Sequence, residues 1–184
     1  MTNYDDVTDE QLVESCRGSF DRTREIFAVL YERHHVALFN FLRRYVGNDH
    51  VAEDLLQETF LRVFRGMDQF HPEKRLTDWI YTIALNAARD LLRRRRPSAT
   101  EPEPAAAAAG PAEETERREE HQRLSKMILD LPDEERAVFL LSRVEGRPLQ
   151  EVADVMGFSL RTAKNRLADA VDHLSRRMSS TEVA

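Results

Sequence analysis

Residues 147–177 read RPLQEVADVMGFSLRTAKNRLADAVDHLSRR, a stretch that predicts two helices joined by a tight turn. Apolar residues at helical spacing between Leu149 and Met156 predict a short first helix. Gly157 suits the position after a helix end, where φ is often positive. Ser159 is placed to cap the second helix by accepting from its free N–H groups. The stretch therefore predicts a helix-turn-helix.

The second helix of this motif is polar and basic on its outer face over its first two turns. The side chains of this recognition face are Arg161, Thr162, Lys164, Asn165 and Arg166. They are donors of the kind that bind base edges in the major groove and phosphates. An ordinary solvated helix face is the alternative interpretation. We favour duplex DNA as the ligand.

The net charge of the 184-residue chain is −6, which is unusual for a DNA-binding protein, but the charges are unevenly distributed. Residues 74–96 hold seven basic and two acidic groups, and residues 161–177 hold five basic and two acidic groups. Two separate basic surfaces on an acidic protein favour localised contact with DNA. The acidic groups elsewhere should weaken DNA binding by the isolated chain, which points to a partner.

The composition excludes several protein classes. Charged residues make up 33% of the chain, and no apolar run approaches the ~18–20 residues that span a bilayer. The acidic N-terminus lacks the pattern of a secretory signal. Cys16 is the single cysteine, so an internal disulfide is excluded. We expect a cytoplasmic protein, and we find no motif for a cofactor.

Residues 97–114, PSATEPEPAAAAAGPAEE, differ sharply from the rest of the chain. Four prolines, one glycine and no large apolar residue predict a flexible linker. At ~3.3 Å per residue it would reach about 60 Å, or about 17 base pairs. We therefore predict an all-α fold of two small helical domains joined by this linker.

Helical periodicity accounts for the rest of the chain, and no strand-like alternation is present. The predicted helices before the linker cover residues 9–17, 23–46, 50–65 and a segment from Thr77 or Asp78 to 96. Asp49 is the predicted cap of the third helix, and Thr77 or Asp78 of the fourth. After the linker, helices over 115–129 and 133–144 precede the helix-turn-helix.

The helix that ends in the run 93–96 combines aromatic and basic residues. Trp79, Tyr81, Asn86 and Arg89 lie before four consecutive arginines. This combination suits single-stranded nucleic acid, because unstacked bases need flat partners. For Trp79, packing in the core is the alternative interpretation. Mid-helix Asn86 is a poor helix former, which favours a functional role.

A polar ridge runs along the helix predicted over 50–65. We call Glu53, Asp54, Gln57 and Glu58 the acidic ridge, and interpret it as a docking face for a basic partner. The alternative is an all-helical metalloenzyme using Glu53 or Asp54 with His34 or His35. Adjacent histidines on a helix point about 100° apart, which disfavours a shared metal ion.

Four segments in this order resemble the extracytoplasmic-function (ECF) sigma factors of bacterial RNA polymerase. They are VAEDLLQETFLRVFR (51–65), WIYTIALNAARDLLRRRR (79–96), LPDEERAVFLLSRVEG (131–146) and the helix-turn-helix. The resemblance implies a non-catalytic subunit that binds core RNA polymerase and directs promoter-specific initiation. It implies an N-terminal segment over 1–19, sigma region 2 over 20–96, the linker over 97–114, region 4 over 115–178 and a tail over 179–184.

The resemblance also assigns site residues. Docking on the clamp helices of the polymerase β′ subunit is assigned to Asp49, Glu53, Asp54, Leu55, Gln57, Glu58 and Phe60. Capture of a flipped base and melting of the −10 element are assigned to the loop 66–74 and the helix that follows, with Phe70, Lys74, Arg75, Trp79, Tyr81, Asn86, Arg89, Arg93 and Arg94. Reading of the −35 element is assigned to Ser159, Leu160, Arg161, Thr162, Lys164, Asn165 and Arg166. Region 4 would also hold the β flap, and an anti-sigma factor commonly inhibits family members.

Three positions depart from the family pattern. Thr82 stands where a basic residue is frequent. Asp169 lies where arginines often continue the recognition helix, and it should repel phosphate. Val51 replaces the usual first acidic residue of the docking segment, unless Asp49 serves instead. The alternative function, a stand-alone helix-turn-helix regulator, leaves the acidic ridge and the Trp79 helix unexplained.

Overall fold

The computed structural model describes residues 4, 6–95 and 112–181, and none of these residues lies in a strand. The helices are α1 (Asp9–Ser15), α2 (Phe20–Val46), α3 (Asp49–Gly66), α4 (Leu76–Arg95), α5 (Ala112–Leu129), α6 (Asp133–Phe139), α7 (Leu149–Met156) and α8 (Leu160–Thr181). A 3₁₀ turn, Met67–Gln69, follows α3, and a π-helical turn, Leu140–Val144, follows α6. The predicted all-α class is confirmed. Arg96 and linker residues 97–111 lie outside the described residues.

Helices α1 to α4 pack around buried apolar side chains that belong to one cluster, which continues into the C-terminal half. The side chains of Leu30, Phe41 and Leu42 on α2 are fully buried, as are Leu76 and Ala84 on α4. Burying each large apolar side chain contributes about 1.5–3 kcal/mol. The core therefore fixes the outer faces of α3 and α4 relative to each other.

Two helix caps differ from the sequence predictions. Asn48, not Asp49, caps α3, since its side chain accepts from the Val51 N–H at 2.9 Å. Helix α4 begins at Leu76, before both predicted caps, and the Leu76 N–H donates to the Glu10 carboxylate at 2.8 Å. The cap of α4 comes from a helix 66 residues earlier in the chain, which local sequence patterns do not reveal.

The C-terminal half contains the predicted helix-turn-helix of α7 and α8. Gly157 ends α7 with φ at 68°, and Ser159 Oγ accepts from the Thr162 N–H at 3.1 Å. Both predicted turn features are therefore present. Helix α5 begins at Ala112, inside the predicted linker, and the helix predicted over 133–144 changes to π-helical geometry after Phe139.

The two halves of the chain lie in direct contact. Helix α4 packs on α7, and α2 packs on α5 and on the π-helical turn. Arg136 donates to the Tyr45 carbonyl oxygen at 3.0 Å, and the Tyr45 hydroxyl donates to Asp133. Gly47 faces α5 so closely that a Cβ there would lie 2.5 Å from Leu129 Cδ1. The sequence did not predict this interface.

Within the described ranges, no helix combines the length and the apolar character that a membrane crossing requires.

Candidate nucleic-acid interface

The acidic ridge lies on the solvent face of α3. Glu53, Asp54, Gln57 and Glu58 are all exposed. Glu58 pairs with Arg62 one turn later at 2.5 Å. Helical spacing places the four side chains on one side because the other side of α3 is packed into the core. This surface is available to a partner.

Leu55 and Phe60 do not belong to that surface. Both are buried, and the ring of Phe60 packs on Tyr31, with ring centroids 4.7 Å apart, and on Phe27. A contact of these two side chains with a polymerase stays a prediction, because both are buried in this structure. They hold α3 in place, and exposed Asp49 extends the ridge instead.

Sequence analysis missed an apolar group beside the ridge. Leu61 is 54% exposed, one turn after Gln57 and Glu58, and Phe20 is 68% exposed beside Phe64. The signal was present in the sequence, because position 61 continues the exposed spacing of 53, 54, 57 and 58. An apolar centre with a polar rim is common in protein–protein interfaces.

The aromatic residues assigned to base capture are packed in the protein. Phe70 is 3% exposed, and its ring lies 5.3 Å from that of Trp79. Trp79 is half-buried over Gly66, where a Cβ would lie 2.9 Å from the indole. Phe70 therefore offers no free stacking face in this conformation, and Trp79 packs partly against the core, so base capture by these rings stays a prediction.

Five other residues of the −10 set are exposed. They are Lys74, Arg75, Asn86, Arg93 and Arg94. Asn86 lies on the open face of α4, and Arg93 pairs with Asp90 at 3.0 Å. We call the four cations among them the basic strip: Lys74 and Arg75 lie in the loop, and Arg93 and Arg94 lie near the end of α4. The strip fits a nucleic-acid backbone better than the buried aromatic residues do.

Tyr81, Arg89 and Arg75 are bound by the C-terminal half. The Tyr81 hydroxyl donates to Glu145 at 3.1 Å, and burial, reinforced by Glu145, raises its pKa. Arg89 Nε donates to Asp133 at 2.8 Å, and Arg75 pairs with Glu151. Carboxylates of one half thus contact groups that the sequence assigns to DNA.

Arg147 lies at the centre of this interface. Its side chain is 8% exposed, pairs with Asp78 and lies 3.3 Å from Glu151. Its guanidinium also lies over the Tyr81 ring, 4.7 Å from the centroid. Burial raises the pKa of Asp78, and the nearby Arg147 only partly offsets that effect. The two halves are therefore joined by a mostly buried charge cluster.

The recognition face of α8 is largely open. Arg161, Lys164 and Asn165 are exposed, whereas Arg166 pairs with Glu134 at 2.8 Å and lies 3.6 Å from Asp169. The hydrogen bond to Glu134 raises the pKa of Arg166. Three side chains are therefore free to reach base edges, and Arg166 must exchange partners first.

The remaining −35 residues frame that face. Ser159 is the cap of α8, and Leu160 and Thr162 are half-buried in its first turn. All three residues lie at the start of α8, where they help to set the orientation of the helix.

The histidines of the metalloenzyme alternative serve the fold. His34 Nε2 lies 2.6 Å from Asp9, and His35 Nδ1 lies 3.0 Å from the Tyr31 carbonyl oxygen. Across residues 4, 6–95 and 112–181, no group of His, Cys, Asp and Glu has the arrangement of a metal site. That alternative therefore has no site in this part of the chain.

Comparison with known proteins identifies both halves. Residues 30–97 match the family Sigma-70 region 2, and residues 121–174 match Sigma-70, region 4. The chain is 34% identical to RNA polymerase sigma factor CarQ of Myxococcus xanthus, over 79% of this chain and 85% of that protein. It is 30% identical to ECF RNA polymerase sigma factor SigE of Mycolicibacterium smegmatis, over 91% of this chain and 71% of that protein.

Solved structures share this fold. CnrH, solved in complex with the cytosolic domain of CnrY, superimposes with a TM-score of 0.72 at 26% identity, covering 94% of this chain and 97% of that one. Sigma factor RpoE of Bartonella quintana, solved with the anti-sigma factor NepR, shares the fold with a TM-score of 0.66 at 21% identity, covering 83% and 96%. The chain therefore belongs to the sigma-70 family, as an ECF sigma factor that directs core RNA polymerase to promoters.

Proposed function

We propose that this sigma factor binds core RNA polymerase, the −10 element and the −35 element through three separate surfaces. The acidic ridge of α3 docks on the β′ clamp helices of core RNA polymerase. The basic strip binds the −10 element as the strands separate. The recognition face of α8 reads the −35 element as duplex. The observation that carries the proposal is that these surfaces are distinct and solvent-facing while the fold buries the side chains beneath them.

The docking step is supported by the shape and charge of α3. Carboxylates on a regular helix, with Leu61 at their edge, complement a basic surface with an apolar centre. We add exposed Leu61 to the residues that contact the polymerase. Leu55 and Phe60 are buried beneath this surface and hold α3 in place. Polymerase supplies the chemistry, and the sigma factor is non-catalytic.

We propose that the two halves separate when the promoter is opened. Arg75, Tyr81 and Arg89 contact Glu151, Glu145 and Asp133 in this structure. Binding to DNA phosphates would require the two arginines to exchange these carboxylates for phosphate. We propose that docking on core RNA polymerase holds the halves apart, so that DNA binds tightly only in the holoenzyme.

We expect Arg161→Ala, Lys164→Ala and Asn165→Ala each to impair initiation from −35-dependent promoters. Removing a side chain that contacts a base edge should cost ~1–3 kcal/mol of binding free energy, which is about 5- to 150-fold in affinity. It should also relax discrimination at one base pair. Removing a side chain that contacts a phosphate should weaken binding to all sequences alike. The measurement is transcription by reconstituted holoenzyme on promoters with single −35 substitutions.

The matched control for this experiment is Arg143→Ala, which removes an exposed arginine outside the recognition helix. It should leave −35 discrimination unchanged. Unaltered strength and selectivity in all three α8 variants would exclude this face as the −35 reader.

We further propose a cytoplasmic location, where core RNA polymerase works, and inhibition by an anti-sigma factor. The second proposal is supported by the likeness to RpoE, which was solved with the anti-sigma factor NepR. A stand-alone regulator is not favoured, because both sigma regions are matched.

A further inference from the structure

Helix α1 precedes both family matches, yet it is firmly attached to the N-terminal half. Leu12, Val13 and Cys16 are buried in the shared core. Arg33 Nη1 donates to Asp9 at 2.7 Å, and His34 Nε2 lies 2.6 Å from the same carboxylate. Burial would raise the pKa of Asp9, but the hydrogen bonds from His34 and Arg33 outweigh it and the pKa is lowered.

Two side chains from this N-terminal segment hold the ends of the loop that precedes α4. Arg17 Nη2 donates to the Phe70 carbonyl oxygen at 2.7 Å. Glu10 Oε1 accepts from the Leu76 N–H at 2.8 Å. Phe70 and Leu76 are both buried. We call Glu10 and Arg17 the loop clasp.

The segment between these two anchors is the part that faces solvent. Residues 71–75 are all exposed, and a single turn hydrogen bond joins the Lys74 N–H to the His71 carbonyl at 3.0 Å. These exposed side chains are not packed into the core, and Arg75 is also held by its pair with Glu151 on α7. The clasp therefore fixes both ends of the loop that carries Lys74 and Arg75. It also fixes the position of the first turn of α4.

The Glu10 contact has a second effect on α4. The first N–H groups of a helix have no partner within the helix, and a carboxylate placed there satisfies one and interacts favourably with the helix dipole. No local Ser, Thr, Asn or Asp does this for the Leu76 N–H, since Glu10 occupies it. The start of α4 thus depends on α1.

We propose that Glu10 and Arg17 are positioning residues for −10 recognition: α1 sets the path of the loop 71–75 and the first turn of α4 without contacting DNA. This inference rests on the proposed −10 role of that loop. It extends the functional N-terminal boundary of region 2 from residue 20 back to α1. It also explains why α1 is fixed by Arg33 and His34.

The test uses holoenzyme reconstituted with full-length Glu10→Ala or Arg17→Ala. Three readouts are taken: affinity for core polymerase, discrimination among −35 substitutions, and discrimination among −10 substitutions with permanganate detection of melting. We expect about 2- to 30-fold loss in the −10 readout, the range for a lost helix cap, with the other two readouts unchanged. Glu10→Gln retains an acceptor oxygen, so this variant should keep most of the −10 discrimination that Glu10→Ala loses.

The matched control is Glu14→Ala, an exposed position on the same helix. Equal losses in all three readouts would indicate general destabilisation and overturn the inference, as would unchanged −10 discrimination in Glu10→Ala and Arg17→Ala. The inference would also be overturned if Glu10→Gln were as impaired as Glu10→Ala.

Loop variants separate this inference from the proposed function. If Lys74→Ala or Arg75→Ala changes −10 discrimination but the clasp variants do not, only the positioning role fails. If neither loop nor clasp variants change it, the −10 role of the loop fails as well.

Discussion

Replacing Glu53 and Asp54 together by lysine is expected to abolish stable binding to core RNA polymerase. Both carboxylates are exposed on α3. Loss of one partner from a desolvated, hydrogen-bonded charge pair costs about 2–5 kcal/mol, so two losses correspond to about a thousandfold or more in affinity. Transcription that depends on this sigma factor should disappear with it.

The measurement is competition between this variant and wild-type protein for core polymerase, followed by fluorescence anisotropy. Helical content by circular dichroism should be unchanged. The matched control is the double variant Glu14→Lys and Glu32→Lys, which changes the net charge equally at exposed positions on α1 and α2. Wild-type affinity in the ridge variant would contradict docking through α3.

The second large effect is expected from Arg147→Ala, which should separate the two halves of the free protein. The substitution leaves Asp78 and Glu151 facing each other in a mostly buried site and removes the cation over Tyr81. Breaking a buried ion pair by removing one partner costs about 3–5 kcal/mol. We expect a lower melting temperature and a larger radius of gyration in solution scattering.

A functional consequence should accompany the separation. Opening the interface would release Arg75 and Tyr81 from the C-terminal half, so the free variant should bind −10 DNA more tightly than wild type does. Arg143→Ala is the control, since it removes an exposed arginine four residues away. An unchanged scattering profile and melting temperature in Arg147→Ala would show that this charge cluster does not hold the halves together.

Sequence patterns predicted the surfaces of this protein better than its contacts. The acidic ridge and the recognition face follow from helical periodicity, because exposed and buried positions on one helix are set by local spacing. Periodicity placed Leu61 on the exposed side too, but an exposed leucine alone carries no functional signal. The burial of Phe70 and Tyr81 could not be predicted from the sequence, because an aromatic residue suits a base stack and a core equally well.

The sequence by itself determined the all-α class, the helix-turn-helix with Gly157 and Ser159 at its turn, and the membership in the sigma-70 family. These depend on local periodicity, caps and turns, and on residue order. Only the tertiary structure decided that Glu10 caps α4, and that carboxylates of the C-terminal half bind Arg75 and Arg89. The physical reason is distance along the chain: these partners are between 44 and 76 residues apart, and their pairing depends on how whole helices pack.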